Sequence, residues 1–296
     1  MRGRTTQRRC NNCHDAKIVI IPKGLTSHAE FCSQCYLTCP VCGGDGLIFK
    51  QDEMGREFAK RCECQSLIRR MTLFNNAQIP SQFYDSTFEN FQVKDNPSLE
   101  AALHTAKFAI KNYKKGQSAD KDSWKGLLFM GGVGIGKTRL VCTMIRAYTL
   151  KFAIPSLFQE FSSLLSEIKA GYDKGLSEAK VLEKINNIEI LVIDELGKGR
   201  KSEWEIALLD TIISNRYNMK KTTIFTTNYT DQLKTTYQDA INIRGGGDNL
   251  KDSDRKETLE QRVYSRIYSR LKGMCNFVEI KAPDYRQPES EIQVNR

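Results

Sequence analysis

The sequence has no long apolar run. Behind the basic start MRGRTTQRRCNNCHDAK the nearest apolar stretch is only Ile18 to Ile21, short of the roughly 7–15 apolar residues of a secretory signal and the roughly 20 of a membrane helix. Neither is expected, and the expected compartment is the cytoplasm. Cysteine is nearly absent from most of the chain. Of ten, only Cys142 and Cys275 lie beyond residue 64, while the other eight crowd into residues 10–64. In a reducing compartment such pairs read as metal ligands rather than disulfides. No acid–base partner stands beside them, which excludes a catalytic zinc with an open position.

The eight cysteines form four close pairs: Cys10 and Cys13, Cys32 and Cys35, Cys39 and Cys42, Cys62 and Cys64. Eighteen residues separate Cys13 from Cys32 and 19 separate Cys42 from Cys62. A tight turn brings both sulfurs of a pair to one side of a tetrahedral ion, and a second pair arriving from a hairpin closes the shell. Gly43, Gly44 and Gly46 suit that turn. One or two zinc ions are therefore expected in a zinc-ribbon-like module. The simplest pairing joins the first pair with the second and the third with the fourth. A cross-braced pairing, or His14 or His28 in place of a cysteine, fits the spacing equally well.

Lys and Arg number 45 against 35 Asp and Glu, a formal charge of +10. Each four-thiolate zinc site contributes about −2, so two sites lower the net charge to about +6. Such a balance suits nucleic acid or an acidic partner without naming either. Arg2, Arg4, Arg8 and Arg9 lean toward nucleic acid; a mobile, solvated tail explains them as well.

Residues 126–141, GLLFMGGVGIGKTRLV, pass from a buried strand into glycines, a lysine, a threonine and a helix. Gly131-x4-Gly136-Lys137-Thr138 fulfils the phosphate-loop pattern in its expected setting. Glycines let backbone N–H groups fold around phosphates, and the helix N-terminus adds its positive end. The nucleotide-binding candidates are Gly131, Gly132, Val133, Gly134, Ile135, Gly136, Lys137, Thr138 and Arg139. Lys137 is placed for the β- and γ-phosphates, and Thr138 for Mg²⁺.

A second buried strand, Ile188 to Ile193, ends in Asp194 and Glu195. Asp194 is the magnesium candidate and Glu195 the group that orients and deprotonates an attacking water. Nothing announces the acceptor site that a small-molecule kinase needs. A third strand, TTIFTTN, ends at Asn228, within reach of the γ-phosphate or the water. Helical patterns cover Ser98 to Tyr113, with Leu99, Ala102, Leu103, Ala106, Phe108 and Ile110 apolar, and Glu203 to Asn218, with Trp204, Leu208, Leu209, Ile212 and Ile213 facing inward. A strand IPSLF and the helices FSSLLSEIKAGY and SEAKVLEKINN lie between. This alternation is α/β: a parallel sheet with helices on both faces.

Expected domains are a cysteine-rich module at 1–70, a connector at 71–97, a nucleotide domain at 98–286 and a tail at 287–296. Phe83, Tyr84, Phe88 and Phe91 are too many aromatics for a free linker. The connector should lie on the nucleotide domain, either packing there or standing beside the base.

The blocks IPSQFYDSTFENF, GGVGIGKT, LVIDELG, EWE, TIFTTNY, SRLKGMC and PDYR resemble the AAA+ ATPases of the DnaC/IstB type, helicase loaders and transposition helpers, from about Gln78 to Arg286. The cysteine-rich front resembles the zinc module with which some loaders contact the replicative helicase. The resemblance implies a Mg-dependent ATPase stimulated by assembly and DNA. Its catalytic residues would be Lys137, Asp194, Glu195 and the sensor Asn228, with an arginine finger reaching a neighbouring subunit from LEQRVYSRIYSRLKGM. Arg262, Arg266 and Arg270, spaced by four, would form one stripe; Arg270 fits the family's Ser-Arg-Leu position best, Arg266 second. After NFVEIK only Ala282 to Arg296 remain, too little for a helical lid, so a neighbour would help to hold the nucleotide, with Arg286 the local substitute for a lid arginine. Lys198, Arg200 and Lys201 are the basic residues placed for single-stranded DNA, though a basic surface loop with no partner explains them equally well. The insertion Arg244 to Glu257 carries no chemistry of its own.

The first expected function is thus an ATP-controlled loader that binds a replicative helicase and single-stranded DNA and self-assembles through a shared ATP site. The second is a transposition helper that binds duplex DNA and a transposase. The third is a zinc-dependent nucleic-acid-binding module in which nucleotide only stabilises the fold.

Overall fold

A computed structural model of the chain describes residues 10–113, 125–231 and 257–286. Arg2, Arg4, Arg8 and Arg9, insertion residues 244–256 and the tail at 287–296 lie outside them.

The larger part is built on five parallel strands: β5 (Gly126–Gly131), β6 (Ser156–Glu160), β7 (Ile190–Asp194), β8 (Thr222–Thr227) and β9 (Cys275–Ile280), in the order β6-β7-β8-β5-β9. Successive side chains point to opposite faces. Leu127, Phe129, Ile190, Val192, Ile224 and Ile280 therefore pack one way, against α1 (Cys64–Asn76), α2 (Pro97–Asn112) and α3 (Lys137–Arg146). Leu128, Met130, Leu191, Ile193 and Phe225 pack the other way, against α4 (Phe161–Asp173), α5 (Glu178–Asn187), α6 (Glu203–Asn218) and α7 (Leu259–Met274). The expected parallel sheet with both faces covered is present. Burial on both faces is why the strands read as continuous apolar runs. Among the described residues no helix follows β9.

The N-terminal part consists of two antiparallel hairpins, each flanked by cysteine pairs: β1 (Ile18–Lys23) with β2 (Thr26–Phe31), and β3 (Leu47–Gln51) with β4 (Glu57–Arg61). The two differ in their surroundings. The first is joined to the large domain: Ala29 is buried in the main core, Ser27 N donates to Ile79 O at 2.7 Å, and the Asn75 amide exchanges two hydrogen bonds with the Ala29 backbone. The second has only a small cluster of its own, around Tyr36, Cys39, Cys62 and Cys64. It leaves Leu37, Val41, Leu47, Phe49, Met54 and Phe58 exposed.

Several local details depart from the sequence expectation. Helix α1 runs through residues 70 and 71, because Cys64 begins a helix whose Phe74 is buried in the main core. The Ala77 carbonyl then accepts from Phe158 N at 2.8 Å, so the connector covers the open edge of β6. Phe108, expected in the core, is 61% exposed, since α2 turns its stripe of Leu99, Ala102, Leu103, Ala106 and Ile110 inward instead. Strand β7 begins at Ile190 and extends to Asp194. The helix after the glycine loop ends at Arg146 and continues as a π-turn over Ala147–Lys151. Helix α7 is interrupted at Tyr264 (φ 65°, ψ 152°), a conformation that costs a non-glycine residue energy. The expected single stripe of Arg262, Arg266 and Arg270 is therefore divided in two.

Arg216, which no sequence pattern singled out, is fully buried on α6. Its guanidinium donates to the carbonyls of Ile185 (2.8 Å), Asn186 (3.2 Å), Ile188 (3.0 Å) and Thr222 (2.6 Å) and to Thr223 Oγ1 (2.8 Å). Burial pulls its pKa down to about 9, so it stays charged at neutral pH. It joins the end of α5 to the start of β8. Arg216→Met should destabilise the protein by about 3 kcal/mol or more, since it leaves several buried carbonyls without a donor at about 1–3 kcal/mol each. Urea unfolding that changes by less than about 1 kcal/mol would refute this.

Candidate functional site

The glycine loop forms where β5 meets α3. Gly131 (φ 150°) passes so close to β9 that a Cβ would stand 2.3 Å from the Ile280 carbonyl oxygen. Gly134 (φ 75°) leaves room for Asp284, and its carbonyl accepts from Tyr285 N at 3.3 Å. The segment after β9 therefore lies on the loop.

Lys137 is the first residue of α3 and is 7% exposed. Its ammonium donates to Gly131 O (2.8 Å), Gly132 O (2.5 Å) and Asn228 Oδ1 (2.8 Å). Burial pulls its pKa down to about 8, against the opposing pull of Asp194 and Glu195. At neutral pH the ammonium still predominates. Thr138 Oγ1 donates to Asp194 at 3.1 Å from either oxygen. Burial pushes the Asp194 carboxyl above the usual range, while hydroxyls of Thr226 and Thr138 oppose the shift. A divalent cation would compensate this buried charge, and the hydroxyl–carboxylate pair is a hard oxygen donor set of the kind Mg²⁺ prefers.

Thr226 went unnoticed in the sequence. Its hydroxyl donates to Asp194 Oδ1 (2.5 Å) and accepts from Glu195 N (2.9 Å), orienting both acids at once. The available signal was the alternation of TTIFTTN, which puts Thr226 and Asn228 on one side of β8.

A cavity of about 720 Å³ joins these groups. Residues 133–139, Glu195, Thr226 and Asn228 line one end. Phe83, Phe91, Gln92, Leu99, Tyr285 and Arg286 are also in its wall. Two of the connector aromatics thus reach the site, while Phe88 packs on the core and Tyr84 is exposed. The volume, the loop and the apolar wall suit a nucleotide. Arg139 lines the cavity, yet its guanidinium reaches Asp85 of the connector at 3.3 Å.

The arginines of α7 lie elsewhere. Arg266 and Arg270 share Asp210 of α6, at 2.5 and 3.3 Å, and neither lines the cavity. Arg262, on the other side of the break at Tyr264, donates to the carbonyls of Gly197 (2.7 Å) and Gly199 and lies over the Tyr229 ring. It braces the loop after Glu195. In that loop Lys201 pairs with Glu257 at 3.0 Å, Lys198 pairs with Glu195 and Glu160, and Arg200 is exposed.

The eight N-terminal sulfurs fall into two sets, Cys10, Cys13, Cys32 and Cys35, and Cys39, Cys42, Cys62 and Cys64, each within 4.8 Å. Cross-braced pairing and histidine ligation are thereby overturned, because each hairpin returns its own flanking pairs to one place. Sulfur–sulfur separations include 3.7 Å (Cys10 to Cys32), 3.3 Å (Cys13 to Cys35), 3.7 Å (Cys39 to Cys62) and 3.5 Å (Cys42 to Cys64). A tetrahedron with Zn–S bonds of about 2.3 Å has edges of about 3.8 Å, so both sets fit zinc. Gly46 N points at Cys42 Sγ from 3.2 Å, a donor that stabilises a thiolate.

The family model described as IstB-like ATP binding protein matches residues 86–243, more than half of the chain. The chain belongs to the IstB-like ATP-binding family. The replicative helicase loader DnaC of Escherichia coli (strain K12) is 26% identical over 187 residues, 62% of this chain and 73% of that protein. The phage-like element PBSX protein XkdC of Bacillus subtilis (strain 168) is 22% identical over 205 residues, 67% of this chain and 74% of that protein. The crystal structure of the DnaC helicase loader matches with a TM-score of 0.53 at 29% identity, covering 68% of this chain and 99% of that one. This IstB-like protein is thus an AAA+ ATP-binding protein, preceded by two cysteine clusters suited to zinc. Among its described residues no helix is long and apolar enough to cross a membrane.

Proposed function

We propose that this IstB-like protein hydrolyses ATP with Mg²⁺ and acts as a loader of a replicative helicase onto single-stranded DNA. The observation that carries the hydrolytic part is that Thr138 and Glu195 line one nucleotide-sized cavity while Asp194 is hydrogen-bonded to Thr138 and to Thr226 of the same wall. The likeness to DnaC, which extends over nearly all of its solved structure, supports the loader part.

In this reading Lys137 leaves its loop carbonyls and Asn228 for the β- and γ-phosphates. Thr138 and Asp194 would hold Mg²⁺, which would supply charge neutralisation at those phosphates. Glu195 orients a water and takes its proton, and Asn228 reports on the γ-phosphate. Arg270, with Arg266 second, acts on a neighbouring subunit's nucleotide, consistent with its distance from its own cavity. Residues 98–286 form the ATPase domain, 71–97 the connector, 1–70 the partner-binding module and 287–296 a tail. Within the module the second hairpin, with its exposed apolar residues, is the part available to a helicase, because the first is joined to the ATPase domain.

An affinity experiment with purified replicative helicase from the same host tests the partner. The full-length chain should retain helicase in the presence of ATP, and Phe49→Ser with Phe58→Ser should abolish retention. Retention of a transposase and duplex DNA, with no affinity for helicase, would assign it instead to the transposition helpers within the same family.

A further inference from the structure

The loop after Glu195 is held almost everywhere. Leu196 N donates to Thr226 O at 2.7 Å, Thr227 Oγ1 donates to Leu196 O at 2.9 Å, and Arg262 fixes the Gly197 and Gly199 carbonyls. A turn with Glu195 at φ 56° and Gly197 at φ 87°, closed by Lys198 N to Glu195 O at 2.9 Å, brings residue 198 back over residue 195. The Lys198 ammonium consequently meets the Glu195 carboxylate and stands 3.4 Å from Glu160 Oε1. Glu160 is no incidental neighbour. It ends β6 opposite Asp194 in the sheet register, and the Ser162 hydroxyl anchors it at 2.7 Å.

Two carboxylates, one of them the cavity-lining Glu195, thus share one ammonium. A carboxylate whose oxygen accepts an ammonium is a poorer acceptor for a water proton, since its lone pair and its charge are both engaged. The Lys198 side chain is 58% exposed, and an exposed ion pair is worth only about 0–1 kcal/mol. It is too weak to be structural cement and weak enough to exchange. Beside it Arg200 is exposed, whereas Lys201 is already paired with Glu257. A polyanion lying along the loop would meet Lys198 and Arg200 first, and phosphate backbones recruit such cations with release of counterions.

We propose that Lys198 is a clasp on Glu195 that single-stranded nucleic acid unfastens: strand phosphates take up the ammonium and leave the Glu195 carboxylate to accept the proton of the attacking water. Lys198 is a positioning residue, and the proposal rests on the hydrolytic, strand-binding reading given above. It makes DNA stimulation of hydrolysis a local exchange of ion partners. Glu160 completes the device, because once the ammonium departs its like charge repels Glu195 from the resting position.

The test is steady-state ATP hydrolysis by the full-length chain, with and without oligo(dT), for wild type, Lys198→Met, Lys198→Arg and the double variant Lys198→Met with Glu160→Gln. Lys198→Met should raise the strand-free kcat toward the strand-stimulated wild-type value, by about two- to fivefold, the most that release of an exposed ion pair of that strength allows. KM for ATP should stay unchanged, and Lys198→Arg should restore strand dependence. The double variant should lose part of the gain, because a neutral amide at position 160 no longer repels Glu195. Loss of hydrolysis in Lys198→Met both with and without oligo(dT), or unchanged rates in both, overturns the clasp. So does a variant that only weakens oligo(dT) binding while the saturated rate and the strand-free rate stay as in wild type. Absence of hydrolysis in the wild type under every condition overturns the hydrolytic reading itself, and the clasp with it, which separates the two failures.

Discussion

Glu195→Gln should lower ATP turnover by about 10²–10⁴-fold, the usual contribution of a positioned general base, while ATP binding stays within a few-fold of wild type. The substitution keeps shape and removes only charge and basicity. The groups that place residue 195 are backbone groups, its N–H on Thr226 Oγ1 at 2.9 Å and its carbonyl under Lys198 N, and these survive the change. The groups proposed for the phosphates belong to other elements: the glycine loop, and Lys137 and Thr138 at the start of α3. Phosphate release and fluorescent-nucleotide titration on the same preparation separate the two effects. Equal turnover in variant and wild type would remove Glu195 from the chemistry, and a parallel loss of affinity would make it a binding residue. If the wild type bound ATP without turnover in every assembly and DNA condition, the nucleotide would serve the fold alone.

Removal of metal should have the largest effect on structure. Structural zinc in small modules contributes on the order of 10–16 kcal/mol of apparent binding energy at neutral pH, more than the whole stability of many domains. In the second unit three of the four buried cluster residues, Cys39, Cys62 and Cys64, are themselves ligand candidates, and Tyr36 is the fourth. Without the ion, almost no apolar interior is left to hold β3 on β4. The first unit is less dependent, since Ala29 sits in the main core and the Asn75 and Ile79 contacts hold the hairpin from outside. Purified protein should therefore carry two zinc ions per chain. On chelation, amide protection should vanish from 47–61 well before 18–31, and ATP binding should persist because the cavity wall begins at Gln82. Protection of 47–61 in metal-free protein would refute the zinc assignment for that unit; simultaneous loss in both hairpins would refute the asymmetry.

The positions of Lys137, Thr138, Asp194 and Asn228 were legible because each rests on short-range pattern: a strand, a turn of glycines or acids, then a helix or strand end. The structure brings these four together through Lys137 to Asn228 and Thr138 to Asp194. The cysteine spacing singled out the eight thiols that the structure gathers into clusters for the same reason, yet it left the pairing open until the two hairpins closed. Phe108 was misplaced because helical periodicity counts apolar residues without knowing which face meets the sheet. Arg262 was grouped with Arg266 and Arg270 because spacing by four assumes an unbroken helix, and the break at Tyr264 sends it to a different partner. Glu160 and Arg216 carried no motif at all, and Thr226 only the alternation of TTIFTTN.

By itself the sequence determined the strand and helix alternation, the phosphate loop, the paired acids and the four close pairs of thiols, all properties of residues close in the chain. Tertiary structure alone decided which distant groups share a charge: Lys198 with Glu160 across 38 residues, Arg270 with Asp210 across 60, and Arg262 with the Gly197 carbonyl across 65. The physical reason is that local pattern reports burial and backbone conformation, whereas an ion pair or a brace depends on how separate elements are packed, and the same charged residue on the same helix can meet water, a carboxylate or a neighbour's phosphate.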